Sequence, residues 1–461
     1  MKTFHRQDLR SETRPSLAEL SAMGKSLRKN CPRSSHAAWK APDDRPDPLR
    51  LLEQSNQGRI ARLIPIRIGR MVHTPFTFYR GAALDMAVDL AGTPATGLRV
   101  QACGDCHLLN FGAYATPERR IVFDINDLDE TLPAPWEWDV KRLAASFVLA
   151  CRENGLHRYA AQDAVLSCVR AYREHMAEFS RMTVLEIWYA SIDIEKLIAG
   201  IKDAETRRRK LKQFAIDRAK SMSEHHFPEI LAIAGQSPTI KDNPPLISHA
   251  REQGEVLLDA GREAFAAYRK SLPDDRRALI DRFELKDVAL KVVGVGSVGT
   301  WCSVALMVAG KNDHLFLQIK EAHPSVLEAY AGRSIYQNHG QRVVNGYHMM
   351  QSASDILLGW AKDKFGRHFY VRQLRDMKMG APVEQFGAGE MVTYAHSCGW
   401  TLARAHARTG GAAQISGYLG NSDAFDTAIA AFAKDYADQS ERDHAILKKA
   451  VRSGRVKADM E

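Results

Sequence analysis

The chain has no long hydrophobic run. Across its 461 residues no window approaches the roughly 18 consecutive apolar residues of a membrane-spanning helix, so neither a spanning helix nor a membrane partner is expected. The opening residues, Met1-Lys2-Thr3-Phe4-His5-Arg6-Gln7-Asp8, are too polar to begin a secretory signal, and no apolar core follows them. Cysteine is sparse. Seven residues, an odd number scattered from Cys31 to Cys398, do not form a disulfide framework. These absences together predict a cytoplasmic protein. Internal repeats and low-complexity tracts are missing as well.

Neither sign of charge dominates. The 64 basic and 55 acidic residues leave a formal +9, spread along the chain apart from Arg207-Arg208-Arg209-Lys210. No aromatics interleave with that run, so it reads as a solvated helix face and no nucleic-acid partner is expected. The modest excess suits a small anionic substrate such as a nucleoside triphosphate. What is present is ordinary for a globular protein: 45% apolar and 26% charged residues, in a chain long enough for more than one lobe.

The most informative stretch is Cys103-Gly104-Asp105-Cys106-His107-Leu108-Leu109-Asn110-Phe111-Gly112, followed by a β-rich run ending in Asp124, Asp127, Asp129 and Glu130. Asp105 and Asn110 stand in the spacing D-x-x-x-x-N. In phosphoryl transfer that spacing lets the Asp orient an attacking hydroxyl while the Asn holds a metal ion. Magnesium needs one or two carboxylates and takes its remaining ligands from water and phosphates. Asp127 is the first candidate for that carboxylate and Asp124 the second. The same residues also read C-x-x-C-H, the attachment pattern of c-type haem, but that chemistry implies export. A zinc site would need two further ligands, which the scattered cysteines do not offer in sequence. A redox dithiol would need a lowered thiol pKa.

Around this stretch the chain divides by texture. Residues 1–45, rich in Arg, Ser, Pro and Asp, are expected as a mobile arm with one short helix near Leu17–Leu27. Residues 46–285 form a large lobe with the catalytic and metal-binding loops. It includes a buried amphipathic helix from Trp136 and a long, charged, mostly helical region from about 160. In that region His225-His226 is expected at the surface. Arg67, Arg70 and Arg80 read first as ion-pair partners. Residues 286–390 form a small lobe of strands. Helices over Tyr394–Arg408 and about 423–452 fill a closing segment, 391–461.

The small lobe carries the second motif. Strand-like Val288–Val293 leads into Gly294-Val295-Gly296-Ser297-Val298-Gly299, and β-branched and aromatic residues follow. A dinucleotide fingerprint would need a helix there. Strand, glycine loop, strand is instead the arrangement in which backbone covers a triphosphate. Gly294, Gly296, Ser297 and Gly299 are the candidate nucleotide contacts. Lys320 ends the third strand, where a lysine grips the phosphates. Glu328, early in the following helix, is the nearest candidate for its acidic partner, with Glu321 adjacent in sequence.

Arg80-Gly81, the G-D-x-H-x-x-N-F-G run at 104–112, F-D-x-N-D-x-D-E at 123–130 and W-x-W-D at 136–139 resemble the bacterial domain-of-unknown-function family 2252. The likeness runs on through V-G-x-G-S-x-G at 293–299 and covers most of the chain from about 60 to 450. The same motifs resemble aminoglycoside phosphotransferases, and the Asp139 helix resembles their D-L-A segment. Cys106 within the loop, and Leu128-Asp129 where protein kinases carry Phe-Gly, depart from the pattern without removing a ligand. Motif order departs further, because the glycine loop follows the catalytic loop. Leu402-Ala403-Arg404-Ala405-His406 resembles the L-A-x-L-H helix that ordinarily precedes G-D-x-H. The resemblance therefore implies an α+β, protein-kinase-like two-lobed fold, circularly permuted, with a helix-rich large lobe and a small antiparallel-sheet lobe. It implies an ATP- and Mg²⁺-dependent phosphotransferase acting on a small hydroxylated molecule. Nucleotidyl transfer, or a non-catalytic nucleotide-binding module, stands as the alternative on the same site.

Overall fold

The structure, a computed structural model, describes residues 15–199, 203–221, 230–234, 237–249, 254–292, 294–310, 313–374 and 378–460. His225-His226 lies outside them. Among the described residues no helix is long and apolar enough to cross a membrane. The protein is mixed α+β, with small antiparallel sheets among many helices.

The described part of the N-terminal arm is packed, contrary to its composition. Ser16 and Glu19 form a capping box that starts helix Leu17–Ser26. This helix crosses helix Ala412–Leu419 so closely that a Cβ on Gly24 would sit 1.9 Å from the Gln414 carbonyl oxygen, and one on Gly417 would sit 2.1 Å from that of Ser21. The arginines that suggested mobility have specific partners. Arg28 and Arg33 donate to the free carbonyls of Gly417, Tyr418 and Leu419 at the end of that second helix. Arg45 bridges Asp89 (2.7 Å) and Asp443 (2.8 Å). Packing here comes from small residues and directed hydrogen bonds, which an apolar count does not register.

Around the first motif, strands β1 (Arg99–Ala102), β2 (Phe111–Ala115), β3 (Ile121–Ile125) and β4 (Leu132–Pro135) make two antiparallel ladders, β1 with β4 and β2 with β3. β5 (Ile192–Asp193) extends β3. Helix Trp136–Glu153 is buried on every face from Trp136 to Cys151. Trp136 stacks on Tyr172 with ring centroids 5.6 Å apart. The helix keeps Glu137, Asp139, Lys141 and Arg142 inside because these charges have polar partners, as buried charge requires. Helix Ala388–Ala407 lies along helix Arg158–Phe179, with Gly399 against the Cys168 backbone.

The long middle region is less uniformly helical than expected. It adds a hairpin of β6 (Leu231–Ala234) and β7 (Ser237–Ile240), then β8 (Ile247–Ser248). Helix Ala204–Ser221 carries the basic run, with Arg208 and Arg209 exposed as expected. The small sheet has six strands: β8, β9 (Glu284–Lys291), β10 (Cys302–Gly310), β11 (Asp313–Glu321), β12 (Gly359–Lys362) and β13 (His368–Gln373). Their spatial order is β8-β9-β10-β11-β13-β12. It draws in residues before 286. Helix Gly254–Ser271 packs on β12, Tyr268 donates to the Leu357 carbonyl (2.6 Å), and the Ile240 amide donates to Asp287 (2.7 Å). Helix His339–Met350 lies between β11 and β12 in sequence and packs on β12 and β13.

Candidate functional site

The first motif is a tight loop held from behind. Gly104 takes φ +82, and a Cβ there would meet the Glu130 carbonyl at 2.3 Å. Asp139 accepts the backbone N–H groups of Cys103 (2.6 Å) and Gly104 (3.1 Å), and His406 adds a 3.1 Å contact to the same carboxylate. Cys103 and Cys106 are buried beside Asp139, in a cluster whose ligand atoms lie within 4.8 Å of one another. Burial pushes both thiols up, Cys106 to about 12. Thiols so placed are core residues rather than a low-pKa redox pair. Asp139 already serves the loop backbone.

Asp105 faces the cleft with one oxygen engaged. Arg142 donates from Nε (2.8 Å) and from a terminal nitrogen to Oδ1, and its guanidinium also packs 4.5 Å from the centre of the Tyr79 ring. Oδ2 lies 3.9 Å from His107 Nε2. His107 is buried, and that burial pushes its pKa down to about 3, so the ring is neutral. Asn110 donates from its side-chain nitrogen to the Asp105 carbonyl at 2.6 Å. Its side-chain oxygen remains as a hard donor.

The carboxylates after β3 separate by environment. Asp124 is fully buried and is held by Arg404 and by the Ser352 amide and hydroxyl, both at 2.7 Å. It forms a buried ion pair with Arg404. Asp129 takes Lys320 Nζ on Oδ2 at 2.6 Å and the Tyr370 hydroxyl on Oδ1 at 2.6 Å, with the Ser297 hydroxyl 3.4 Å from Oδ2. Burial opposes its ionisation, yet Lys320 and these hydrogen bonds bring it down to about 2. Lys320 is likewise held charged, against the cost of burial, by Asp127 and Asp129. Asp127 differs: burial, then repulsion from Asp129, raises its pKa, and its described hydrogen bond is a 3.3 Å contact from the Asp129 amide. A carboxylate that burial and a like charge push toward its protonated form is one that a cation would relieve.

Lys320 thus finds its acid on the loop after β3. Glu328 lies instead near His339 (3.8 Å) and accepts from the Ser325 amide (3.4 Å), while Glu321 accepts from the Trp301 amide (3.1 Å). Helix His339–Met350 contains no acidic residue. Asp129 was named among the loop carboxylates, but nothing in the sequence singled it out. Its position two residues past Asp127 is the one available signal.

Gly294–Gly299 bends over the same place and is anchored rather than free. Val295 and Val298 are buried, Arg59 donates to the Val298 carbonyl (2.6 Å), and the Gly299 carbonyl accepts from the Ile60 amide (2.7 Å). Gly299 has φ +89, and a Cβ at Gly294 would meet nothing within 4 Å. Of the three early arginines, Arg67 is a buried strut bonded to Asn56 and the Gly81 carbonyl. Arg70 lines a large cavity beside the cleft. Arg80 is attracted to both Asp105 and Asp127.

Fold and site together define a mixed α+β protein in which a glycine loop and a buried lysine from one sheet close on acidic loops from two smaller ladders. The chain belongs to the bacterial family described as "Uncharacterized protein conserved in bacteria (DUF2252)", whose model matches residues 59–450. No curated protein and no solved structure matches the chain.

Proposed function

We propose that this protein is an ATP- and Mg²⁺-dependent phosphotransferase of kinase-like fold acting on a small hydroxylated acceptor. The observation that carries the reading is the meeting of Lys320, Asp129 and Ser297 of the glycine loop beside an Asp127 whose pKa burial and Asp129 raise. Topology supports it. A glycine loop joins β9 to β10, the lysine is the penultimate residue of β11, and a helix intervenes before β12 and β13, the arrangement kinases use to hold a triphosphate. Circular permutation is supported where helix Ala388–Ala407 ends. Thr409 Oγ1 accepts the Gln101 amide of β1 at 3.0 Å, and Gly410 abuts Val100 and Arg99, so the helix delivers the chain to the strand that opens the catalytic loop.

Asp127 and the Asn110 side-chain oxygen would hold the metal, since both are hard oxygen donors and burial and Asp129 outweigh the pull of Lys320 on Asp127. Magnesium bound there supplies charge neutralisation for the transferred group. The remaining roles belong to the chain. Arg142 fixes Asp105 by Oδ1 and leaves Oδ2 to orient the acceptor hydroxyl. Lys320 grips phosphate oxygens, and Asp129 with Tyr370 keeps its ammonium charged and aimed. Backbone of Gly294, Gly296, Ser297 and Gly299 covers the phosphates. The second reading, a nucleotide-binding module without transfer, is favoured by the Arg142 clamp on Asp105. A metabolite-library screen for ATP-dependent gain of a phosphate mass decides between them, with Asp105→Ala as control. Turnover lost in the variant, with nucleotide binding kept, supports the enzyme. Nucleotide binding without turnover in the parent protein supports the module.

A further inference from the structure

Arg80 lies in the last turn of helix Pro75–Gly81, and its place in the cleft is set by the residue that fixes Asp105. One terminal nitrogen of Arg142 donates both to the Tyr79 carbonyl (3.1 Å) and to Asp105 Oδ1, and the Tyr79 hydroxyl donates back to the Arg142 carbonyl (2.7 Å). Arg67 holds the Gly81 carbonyl on the other side (2.8 Å). Both chain neighbours of Arg80 are thus bolted, one of them by the Asp105 clamp. The glycine loop abuts the same residue, since a Cβ on Gly296 would lie 3.7 Å from the Arg80 carbonyl. The side chain itself is half-buried and uncommitted. Its Nε is buried with no hydrogen-bond partner, and no described residue forms a hydrogen bond or an ion pair with the guanidinium. Burial pushes its pKa down from the usual guanidinium range, and Asp105, Glu153 and Asp127 oppose that. The group keeps its proton all the same, because a guanidinium does not deprotonate in proteins. Glu153 is exposed and accepts from Thr74 (2.8 Å), whereas the two aspartates belong to the site.

We propose that Arg80 is a second phosphate-gripping residue of the cleft, and that it holds the γ-phosphoryl group during transfer; the assignment rests on the phosphotransferase reading. In that reaction the acceptor hydroxyl oxygen bonds to the γ-phosphorus and the hydroxyl proton passes to Asp105. The bond from the γ-phosphorus to the β–γ bridging oxygen breaks, and its electron pair leaves on ADP. The phosphoryl group therefore crosses from the phosphates at Lys320 to the acceptor at Asp105. A cation drawn to Asp105 and Asp127 alike stands at that crossing. Charge is spread over the three outer oxygens of the group in transit, and the guanidinium fork matches two of them at once. A phosphate oxygen would also satisfy Nε, a buried donor whose missing partner costs stability. The two cations then divide the triphosphate. Lys320, aimed by Asp129, takes the phosphates that stay on ADP, and Arg80 takes the one that leaves.

The test compares two nucleotides that differ by the γ-phosphate. Isothermal titration of the full chain, with magnesium present, measures adenosine β,γ-imidotriphosphate and ADP on the parent, on Arg80→Ala and on Arg80→Lys. Arg80→Ala is expected to weaken the triphosphate analogue about tenfold or more and to leave ADP unchanged. Arg80→Lys should recover part of the loss, because it keeps the charge and gives up the fork. The melting temperature of Arg80→Ala should match the parent's, since the truncation strands no hydrogen-bond partner. If that variant is misfolded, Arg80→Gln takes its place in the same comparison. Undiminished analogue binding in a folded variant overturns the proposal. So does equal weakening of both nucleotides, which marks a cation that only balances the charge of the aspartates. Failure of the phosphotransferase reading looks different: the parent itself binds neither nucleotide, and the assignment falls with it.

Discussion

Lys320 and Asp129 stand 191 residues apart in the chain, and their charged atoms lie 2.6 Å apart. The lysine side chain is almost wholly buried, the aspartate about one-quarter exposed. Removing one partner of such a pair strands the other, at a cost of about 3–5 kcal/mol, whereas replacing both with neutral groups can be nearly neutral. Lys320→Met and Asp129→Asn are each expected to lower stability by that order in urea denaturation, and the double variant to recover most of it. All three should lose ATP-analogue binding. A double variant no more stable than the singles would show that the pair is not the coupled unit described above.

Asp124 and Asp127 should behave oppositely. Asp124→Asn removes the counter-ion of fully buried Arg404 and should cost about 3–5 kcal/mol with or without magnesium. Asp127→Asn removes a carboxylate whose ionisation the fold disfavours, so stability without metal should hold or rise. What it should lose is any stabilisation by added magnesium and nucleotide. Denaturation curves of the two variants with and without these ligands give the comparison.

Asp85 supplies a pH dependence away from the site. Burial first, then Asp443, pushes its carboxyl up to about 7. Between the usual carboxylate pKa near 4 and 7, the folded protein keeps a proton that the unfolded chain gives up. Stability therefore falls as pH rises through that window and levels off above it. Asp85→Asn should melt higher than the parent at pH 8, by at most roughly 3–4 kcal/mol of stability. The advantage should shrink toward pH 4. An unchanged difference between pH 4 and pH 8 would contradict the assignment.

The crossing of helices Leu17–Ser26 and Ala412–Leu419 depends on two missing side chains. Gly24→Ala places a methyl group 1.9 Å from backbone oxygen, and backbone cannot rotate away as a side chain can. The expected result is a loss of about 1–3 kcal/mol or more. Early proteolytic cleavage before residue 45 should accompany it. Ser26→Ala, at an exposed position, should do neither.

Much of the scaffold was legible because local pattern determined it. The glycine loop, the strand ending at Lys320 and the helices from Trp136 and through Tyr394–Arg408 all carry periodicity or turn residues within a short window. Partner choice was not legible. That Lys320 pairs with Asp129 and not Glu328, or that Asp124 is consumed by Arg404, depends on contacts far apart in sequence. Those contacts are set by packing, which no local spacing encodes. The N-terminal segment misled for a related reason. Its arginines resemble those of a disordered arm in composition, and only the carbonyls of Gly417–Leu419 and the carboxylates of Asp89 and Asp443 give them fixed positions.

The partners of Asp124 and Asp139 are Arg404 and His406, the former 280 residues further on. A ribosome adding roughly 5–20 residues per second takes roughly 15–55 s to span that interval. For that time the acidic loops are made while Arg404 and His406 have not yet been synthesised. A nascent or truncated chain ending before helix Ala388–Ala407 holds both motifs yet lacks the Arg404 partner of Asp124 and the His406 partner of Asp139. Completion of the polypeptide is thus written into the assembly of this buried network.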